Sequence, residues 1–348
     1  MENNLDTTMD LPAANRLLVA GTDLTRDQMQ SVMMKIMSGE ATDAQIGSFL
    51  TALMIKGESV EELVGAATIM RALSSPVETR SDKVVDSVGT GGDGARLFNV
   101  STASALVASA AGASMAKHGN RAATGNSGSA DVLEAAGVNI AISPEQVGQC
   151  IDQCGIGFMF APAHHSAMRF AIGPRKEIGI RTIFNLLGPL TNPANARYQL
   201  AGVFSKDWVR PLAEVYAQLG SIHTLVVSSD DGLDEISIAA ATKVAEYRDG
   251  AFSEYVIEPE QFGINRSALD AITVSDSTQS LDMIKRALGG EKGSVFDMIA
   301  LNAGATIYAG DLAESLGEGV DRAREILVSG AGLEKLKRLV EVSSSFSD

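Results

Sequence analysis

Cysteine is nearly absent from this 348-residue chain: Cys150 and Cys154 are the only two, spaced C-x-x-x-C within an expected helix. With no second pair to complete a four-ligand set, they argue against a zinc site and read as reduced, structural thiols. Long apolar runs are missing too. No stretch approaches the roughly 18 uninterrupted apolar residues of a membrane span, and the opening MENNLDTTMD has neither the basic start nor the apolar stretch of a secretory signal. The expectation is a cytoplasmic protein with no membrane partner. Positive charge is scarce: 28 Lys and Arg face 43 Asp and Glu, a net charge of -15. That balance argues against a general nucleic-acid or anionic-membrane surface. It leaves room for a local basic pocket that takes a phosphorylated small molecule, accompanied by a divalent cation that offsets the ligand's charge. Internal repeats and low-complexity segments are also absent.

What is present begins with helices. Thr25-Arg26-Asp27-Gln28 has the form of a capping box, and Met29, Val32, Met33, Ile36 and Met37 follow at helical spacing. Thr42 to Gln45 repeats the device before Ile46, Phe49, Leu50 and Leu53; Ser59 to Glu62 repeats it before Leu63, Ala66, Ala67 and Met70. The Met-rich stripes read as core or as a helix-mediated subunit interface rather than a cofactor box. The pattern breaks at Ser74-Ser75-Pro76, and from Val84 the texture alternates between strand and helix. Ser101 to Ala111 is an Ala-rich helix, Ser114 to Ala116 a short strand, and Ser143-Pro144-Glu145-Gln146 a helix start. His223 to Val227 reads as a buried strand, and YRDGAFSEYV around Asp249-Gly250 as a hairpin. The expected fold class is α/β, with a mainly parallel sheet covered on both faces and some antiparallel pairing.

In such a sheet ligands sit where loops leave the carboxyl ends of the strands. DSVGTGGDG, residues 86–94, contains G-x-G-x-x-G at Gly89, Gly91 and Gly94 after a strand. Its side-chain-free positions suit backbone N–H groups closing on phosphate oxygens. Asn99-Val100-Ser101-Thr102 then offers an amide and two hydroxyls at a helix start, where the dipole favours an anion. A dinucleotide fold would require an acid about 20 residues further on. The chain has instead the basic Lys117-His118-Gly119-Asn120-Arg121, followed by Ser127-Gly128-Ser129 at the next helix start. That disfavours a dinucleotide and offers a second anion site, the alternative being a solvated turn. GTGGDG also lacks the Lys-Ser/Thr of a Walker loop. Asp230-Asp231-Gly232-Leu233-Asp234-Glu235, after the buried strand, is either a solvated turn or a Mg2+ holder. Arg175 and Arg181 are candidates for a carboxylate or are surface charges, and His164 and His165 read as pocket lining or structural residues. No nucleophile arrangement is evident.

Taken in order, DSVGTGGDG…FNVST, KHGNR…SGSAD, RTIFNLLGPLTNP and DGLDE closely resemble the anthranilate phosphoribosyltransferase family of tryptophan biosynthesis, within the nucleoside-phosphorylase-like phosphoribosyltransferases. The resemblance spans nearly the whole chain. It implies a small helical domain, a larger α/β domain, an active site in the cleft between them, and a homodimer joined through the helical domains. Residues 1–75, completed by helices from about 166–190, would form the first domain and 76–348 the second. It implies that phosphoribosyl pyrophosphate is bound by Gly89, Gly92, Asp93, Asn99, Val100, Ser101, Thr102, Lys117, the run His118, Gly119, Asn120, Arg121, Ala122, Ala123, Thr124 and Gly125, and Ser129. Anthranilate would contact Gly89, Asn120 and Arg175; Ser101, Asp234 and Glu235 would hold two Mg2+ ions per subunit. Three positions depart from the family pattern: Leu97 replaces a common hydroxyl residue, Gly125 a frequent serine, and Ser166 a common proline. The implied reaction transfers the 5-phosphoribosyl group to the amine of anthranilate. A pyrimidine nucleoside phosphorylase is the nearest rival, but its basic loop reads more like K-x-S-G-R and lacks an acidic pair. Nucleic-acid-binding relatives would show a basic stripe instead of Asp234-Glu235.

Overall fold

A computed structural model of the chain describes residues 9–92, 94–122 and 127–346. It opens with four helices, α1 (Leu11–Val19), α2 (Arg26–Ser38), α3 (Asp43–Lys56) and α4 (Val60–Ala72). Thr25, Thr42 and Ser59 each cap a helix, and Gln28, Gln45 and Glu62 reach back to the capping residue's N–H. Both groups of orphan donors are thereby satisfied. Glu62 does more than cap. It is buried, and it accepts from the Leu24 N–H at 2.9 Å and pairs with Lys56 at 2.9 Å, so α3 and α4 are locked to the turn before α2.

The alternating part follows: β1 (Val84–Gly89), α5 (Val100–Ala110), β2 (Ser114–Gly119), α6 (Ser129–Ala135), α7 (Pro144–Cys154), β3 (Ile156–Phe160) and the short α8 (Ala161–His164). Two more helices, α9 (Arg169–Ile178) and α10 (Ile183–Leu190), precede β4 (Tyr198–Gly202), α11 (Val209–Gln218), β5 (His223–Ser229), β6 (Thr242–Arg248) and β7 (Ala251–Ile257). The chain closes with α12 (Ser277–Leu288), α13 (Ser294–Ala309), α14 (Leu316–Ser329) and α15 (Ala331–Ser344). Two compact units result. One comprises the chain up to Ser75 together with His165–Thr191; the other comprises Pro76–His164 and the chain from Asn192 onward.

In the larger unit the sheet order is β3-β2-β1-β4-β5-β6-β7. The first five strands run parallel, and β6 and β7 add an antiparallel hairpin. Asp249 and Gly250 turn that hairpin with φ of 49° and 87°, the two left-handed conformations that a tight turn of the favoured hand demands. Strand order reverses between β1 and β4, which makes the carboxyl ends of these strands the crevice where open sheets take ligands. Helix α13 is buried along nearly its whole length, Asn302 and Thr306 included, and packs against α5 and α14, as a helix within a core does. Cys150 and Cys154 are free, buried thiols of α7. No described helix is long and apolar enough to cross a membrane. One boundary differs from the sequence reading. Strand β2 does not stop at Ala116 but carries Lys117, His118 and Gly119 along β3, because the buried Lys117 finds compensating carboxylates nearby.

Candidate active site

β1 delivers Gly89 to the reversal point, and the loop beyond it turns through Gly91, Gly92 and Gly94 with φ of 64°, 76° and 76°. Only glycine takes these left-handed conformations without cost. The loop is anchored to β4: Thr90 N–H donates to the Gly202 carbonyl at 3.0 Å, and Thr90 Oγ1 accepts from Phe204 N–H at 3.2 Å. Gly89 itself is glycine for another reason. A Cβ there would lie 2.3 Å from Asp234 Oδ2, and one at Gly202 would lie 1.5 Å from the Asp234 carbonyl. The acidic loop after β5 thus lies on both strand ends, by the Asp234 carboxylate at Gly89 and by its backbone at Gly202, and Gly91 N–H donates to Asp234 Oδ2 at 2.6 Å. Asp93 lies outside the described residues.

The four acids of that loop divide by what they touch. Asp230 pairs with Lys206 at 2.5 Å, whereas Asp231 accepts from the hydroxyls of Ser229 and Ser237, the latter at 2.6 Å. Asn302 of α13 pins the loop's far side, accepting from Ile236 N–H and donating to the Ile236 carbonyl, each at 2.9 Å. Asp234 and Glu235 are left beside the glycine loop and Lys117, where both carboxylates act on the Lys117 charge. Two carboxylates are a donor set that suits Mg2+, which completes its shell with water and substrate phosphate oxygens. Among the described residues no group of three or more His, Cys, Asp or Glu forms a self-sufficient metal cage.

Asn99 organises a second group. As the cap of α5, its Oδ1 accepts from Thr102 N–H at 3.0 Å, with the Ser101 and Ser129 hydroxyls at 3.5 Å, while its Nδ2 donates to the Ser127 carbonyl at 3.0 Å. Two hydroxyls here, Thr102 Oγ1 and Ser127 Oγ, are buried without a hydrogen-bond partner among the described residues. A phosphate oxygen would satisfy such donors. The side chain of Val100 faces the core, so that residue has only backbone to offer a ligand. Leu97 forms an antiparallel bridge with Thr273 and packs on the core.

β2 supplies the third group. Lys117 is only 2 % exposed, and its Nζ donates to the His118 carbonyl at 3.0 Å. Burial lowers its pKa, and Asp86, Glu235 and Asp234 act in the opposite sense. Asp86 is fully buried, and its pKa is raised by that burial against the pull of Lys117 and of its hydrogen bonds. Arg121, in contrast, is held by Asp131 at 3.2 Å and by Glu134 in a two-pronged pair, both on α6, and lies over the Phe160 ring. Asn120 accepts from the Arg121 and Ala130 N–H groups, and Ala122 N–H donates to Asp131. Ala123, Thr124 and Gly125 lie outside the described residues.

Arg175 belongs to the helical unit. Its guanidinium stacks over Phe184 at 5.0 Å, burial lowers its pKa, and no ion-pair partner faces it among the described residues. His164 and His165 are both buried, at the end of α8 and just past it, rather than on an open loop. Sequence reasoning missed Asp86, Asn192, Gly202 and Asn302. For Asp86 a signal was present: it is the one charged residue inside β1.

Comparison with known proteins agrees with this architecture. Residues 13–74 match the glycosyl transferase family helical bundle domain, and residues 81–333 the a/b domain of the same family. The anthranilate phosphoribosyltransferase of Ectopseudomonas mendocina (strain ymp) is 54% identical over 344 residues, covering 97% of this chain and 98% of its own. The corresponding protein of Thioalkalivibrio sulfidiphilus is also 54% identical, over 337 residues that cover 97% and 100%. Among solved structures, anthranilate phosphoribosyltransferase from Thermus thermophilus superposes with a TM-score of 0.91 at 41% identity, over 95% of this chain and 99% of that one. The Saccharomyces cerevisiae enzyme, in complex with PRPP and Mg, gives 0.88 at 27% identity, over 97% and 98%.

Proposed function

Because the chain belongs to the anthranilate phosphoribosyltransferases, we infer that it moves the 5-phosphoribosyl group of phosphoribosyl pyrophosphate to the amine of anthranilate, a step of tryptophan biosynthesis that releases pyrophosphate. The observation that carries this reading for the chain's own residues is the contact of the Asp234 carboxylate with the Gly91 N–H, which sets an acidic pair against a phosphate-type loop. The pyrophosphate side of the substrate belongs with the amides of the loop after Gly89, with Gly92 and Asp93, and with the hydroxyl group gathered by Asn99. Thr102 Oγ1 and Ser127 Oγ give that group two unspent donors. Asp234, Glu235 and Ser101 would hold Mg2+, two ions per subunit, and the metal's contribution is to neutralise charge that grows on the leaving pyrophosphate.

As the C1–oxygen bond breaks, its electron pair passes to the pyrophosphate, where Lys117 and the loop amides stabilise it. The amine lone pair closes on C1 from the opposite face, and the excess proton leaves the nitrogen afterwards. An aromatic amine requires little base, so positioning carries most of the acceleration, and a site of Gly, Asn and Ser without a nucleophile suits that task. Arg175 takes the anthranilate carboxylate, for which its planar fork is shaped. Arg121, committed to α6, contributes by shaping the turn.

A homodimer joined through the helical unit has support in the surface. Of ten large apolar residues exposed among the described residues, seven belong to the smaller, helical unit, including Val19, Met34, Ile55 and Ile172. The cytoplasm is the compartment that fits two free thiols. The test of the activity is fluorimetric: purified protein with anthranilate, phosphoribosyl pyrophosphate and Mg2+ consumes anthranilate, and the same mixture without metal does not. Absence of metal-dependent consumption would overturn the assignment.

A further inference from the structure

Strands β1 and β2 begin as neighbours and then part. Backbone pairing between them covers only Val84 with Ser114 and Val85 with Met115. Yet β1 runs on to Gly89 along β4, and β2 runs on to Gly119 along β3. Had the ladder continued, Ser87 would stand opposite Lys117 and would bond the Ala116 carbonyl and the His118 N–H. Two buried side chains take its place. Asn192 Nδ2 donates to the Ala116 carbonyl at 2.9 Å and to Asp86 Oδ2 at 2.7 Å, while His118 N–H donates to Asp86 Oδ1 at 3.3 Å. Every backbone group that the parting releases on this stretch of β2 is therefore satisfied.

We propose that Asp86, braced by Asn192, is a positioning residue for phosphoribosyl pyrophosphate: the pair wedges β1 from β2 and sets Lys117 and the turn after it to receive the pyrophosphate. The proposal rests on the activity inferred above. His118 is the hinge pin of this device. Its N–H is held by Asp86 and its carbonyl by Lys117 Nζ, so a change at Asp86 is transmitted to the ammonium through a single residue. The buried carboxylate also offsets the burial that works against the Lys117 charge. Asn192 is the first residue of the larger unit after α10, which places the brace where the chain re-enters the sheet.

The experiment compares the full-length protein with Asp86→Asn, which keeps the volume but removes the charge and replaces one of the two accepting oxygens, and so one of the bonds to His118 and Asn192, with an NH2. Phosphoribosyl pyrophosphate binding in Mg2+ is measured by calorimetry, steady-state constants for both substrates by anthranilate fluorescence, and folding by circular dichroism. The expected result is binding weakened about tenfold or more, the scale of a lost charged hydrogen bond, with the KM for anthranilate within about twofold of the parent. Unchanged binding, or an equal loss for both substrates, overturns the proposal. Should Asp86→Asn fail to fold, Asn192→Ser decides by the same measurements: about threefold weaker binding of phosphoribosyl pyrophosphate alone supports the wedge. An unaffected or unfolded Asn192→Ser chain makes the pair a folding element and rejects it. If the parent protein itself binds no phosphoribosyl pyrophosphate, the functional reading fails first and the proposal with it.

Discussion

The two ends of the central sheet are built from similar residues and put to opposite uses. At its amino end, His223 opens β5 fully buried, with Nδ1 at 2.9 Å from Asp311 and Nε2 at 3.1 Å from Glu246. Glu246 also accepts from the hydroxyls of Tyr255 and Tyr308 at 2.8 Å each, and Arg248 reaches Asp311 at 3.2 Å. The charges there are answered from within the protein. At the carboxyl end, glycines replace side chains, the Asp234 carboxylate lies against the Gly91 amide, and two hydroxyls have no partner among the described residues. At the amino end a histidine, two carboxylates and an arginine close on one another; at the carboxyl end the unmatched Thr102 and Ser127 hydroxyls stand at a helix start beside glycine-rich loops. Buried polar groups cost stability unless matched, and an arriving phosphate would match the two hydroxyls of the second arrangement.

Mutations at each end sharpen that contrast. The largest effect is expected from Asp234→Ala combined with Glu235→Ala, which should lower metal-dependent turnover roughly 10²–10³-fold, the scale of losing a group that stabilises developing charge. Thermal stability should fall by a smaller measure, since Lys117 keeps only Asp86 to answer it, as checked by calorimetry. Arg175→Ala should raise the KM for anthranilate about 10–100-fold through loss of a charged hydrogen bond, while the KM for phosphoribosyl pyrophosphate holds steady. An equal rise in both constants would reject its assignment. At the amino end the ranking inverts. His223→Ala should cost about 3–5 kcal/mol in denaturant unfolding, because Glu246 and Asp311 lose the group between them, and leave both KM values unchanged. Burial alone would raise the Glu246 pKa, but hydrogen bonds from His223, Tyr308 and Tyr255 outweigh it and hold the carboxyl below its usual 4.5. Its contribution is present above that pH and fades as pH falls through the lowered value. The smallest effect lies away from both ends. Burial pushes the Cys150 thiol up to about 12 from 9.0, so its share of stability is full below pH 9.0 and fades as pH rises toward 12. Native protein at pH 8 should leave a thiol reagent unreacted, and unfolded protein should release two thiols per chain.

Local signals were legible where local physics decides. The capping boxes at Thr25, Thr42, Ser59 and Ser143 stand where their sequences place them, and Asp249-Gly250 turns its hairpin. Strand β2 reads short in the sequence because Lys117 and His118 are polar; the carboxylates that let Lys117 be buried come from β1 and from the loop after β5. Pairing at long range was equally hidden. Asp86 and Asn192 are 106 positions apart, and neither carries a local mark of the other. The glycine loop shows the same divide. Its conformational freedom was legible, but the reason for Gly89 is the Asp234 carboxylate, and that for Gly202 the Asp234 carbonyl, of a loop that follows β5. Which charges are already committed, such as Arg121 to Glu134 or Asp231 to Ser237, is likewise a property of the fold.

The hairpin tip at Asp249-Gly250 has a practical consequence. Both residues are exposed, and the β5–β6 register, with His223 opposite Arg248, sets the tip at the end of the sheet away from the glycine loops. An exposed turn of this kind is where new chain termini or a guest domain are best tolerated. A fluorescent reporter spliced between these two residues would tag the enzyme for imaging or surface attachment while leaving the ligand-facing strand ends untouched.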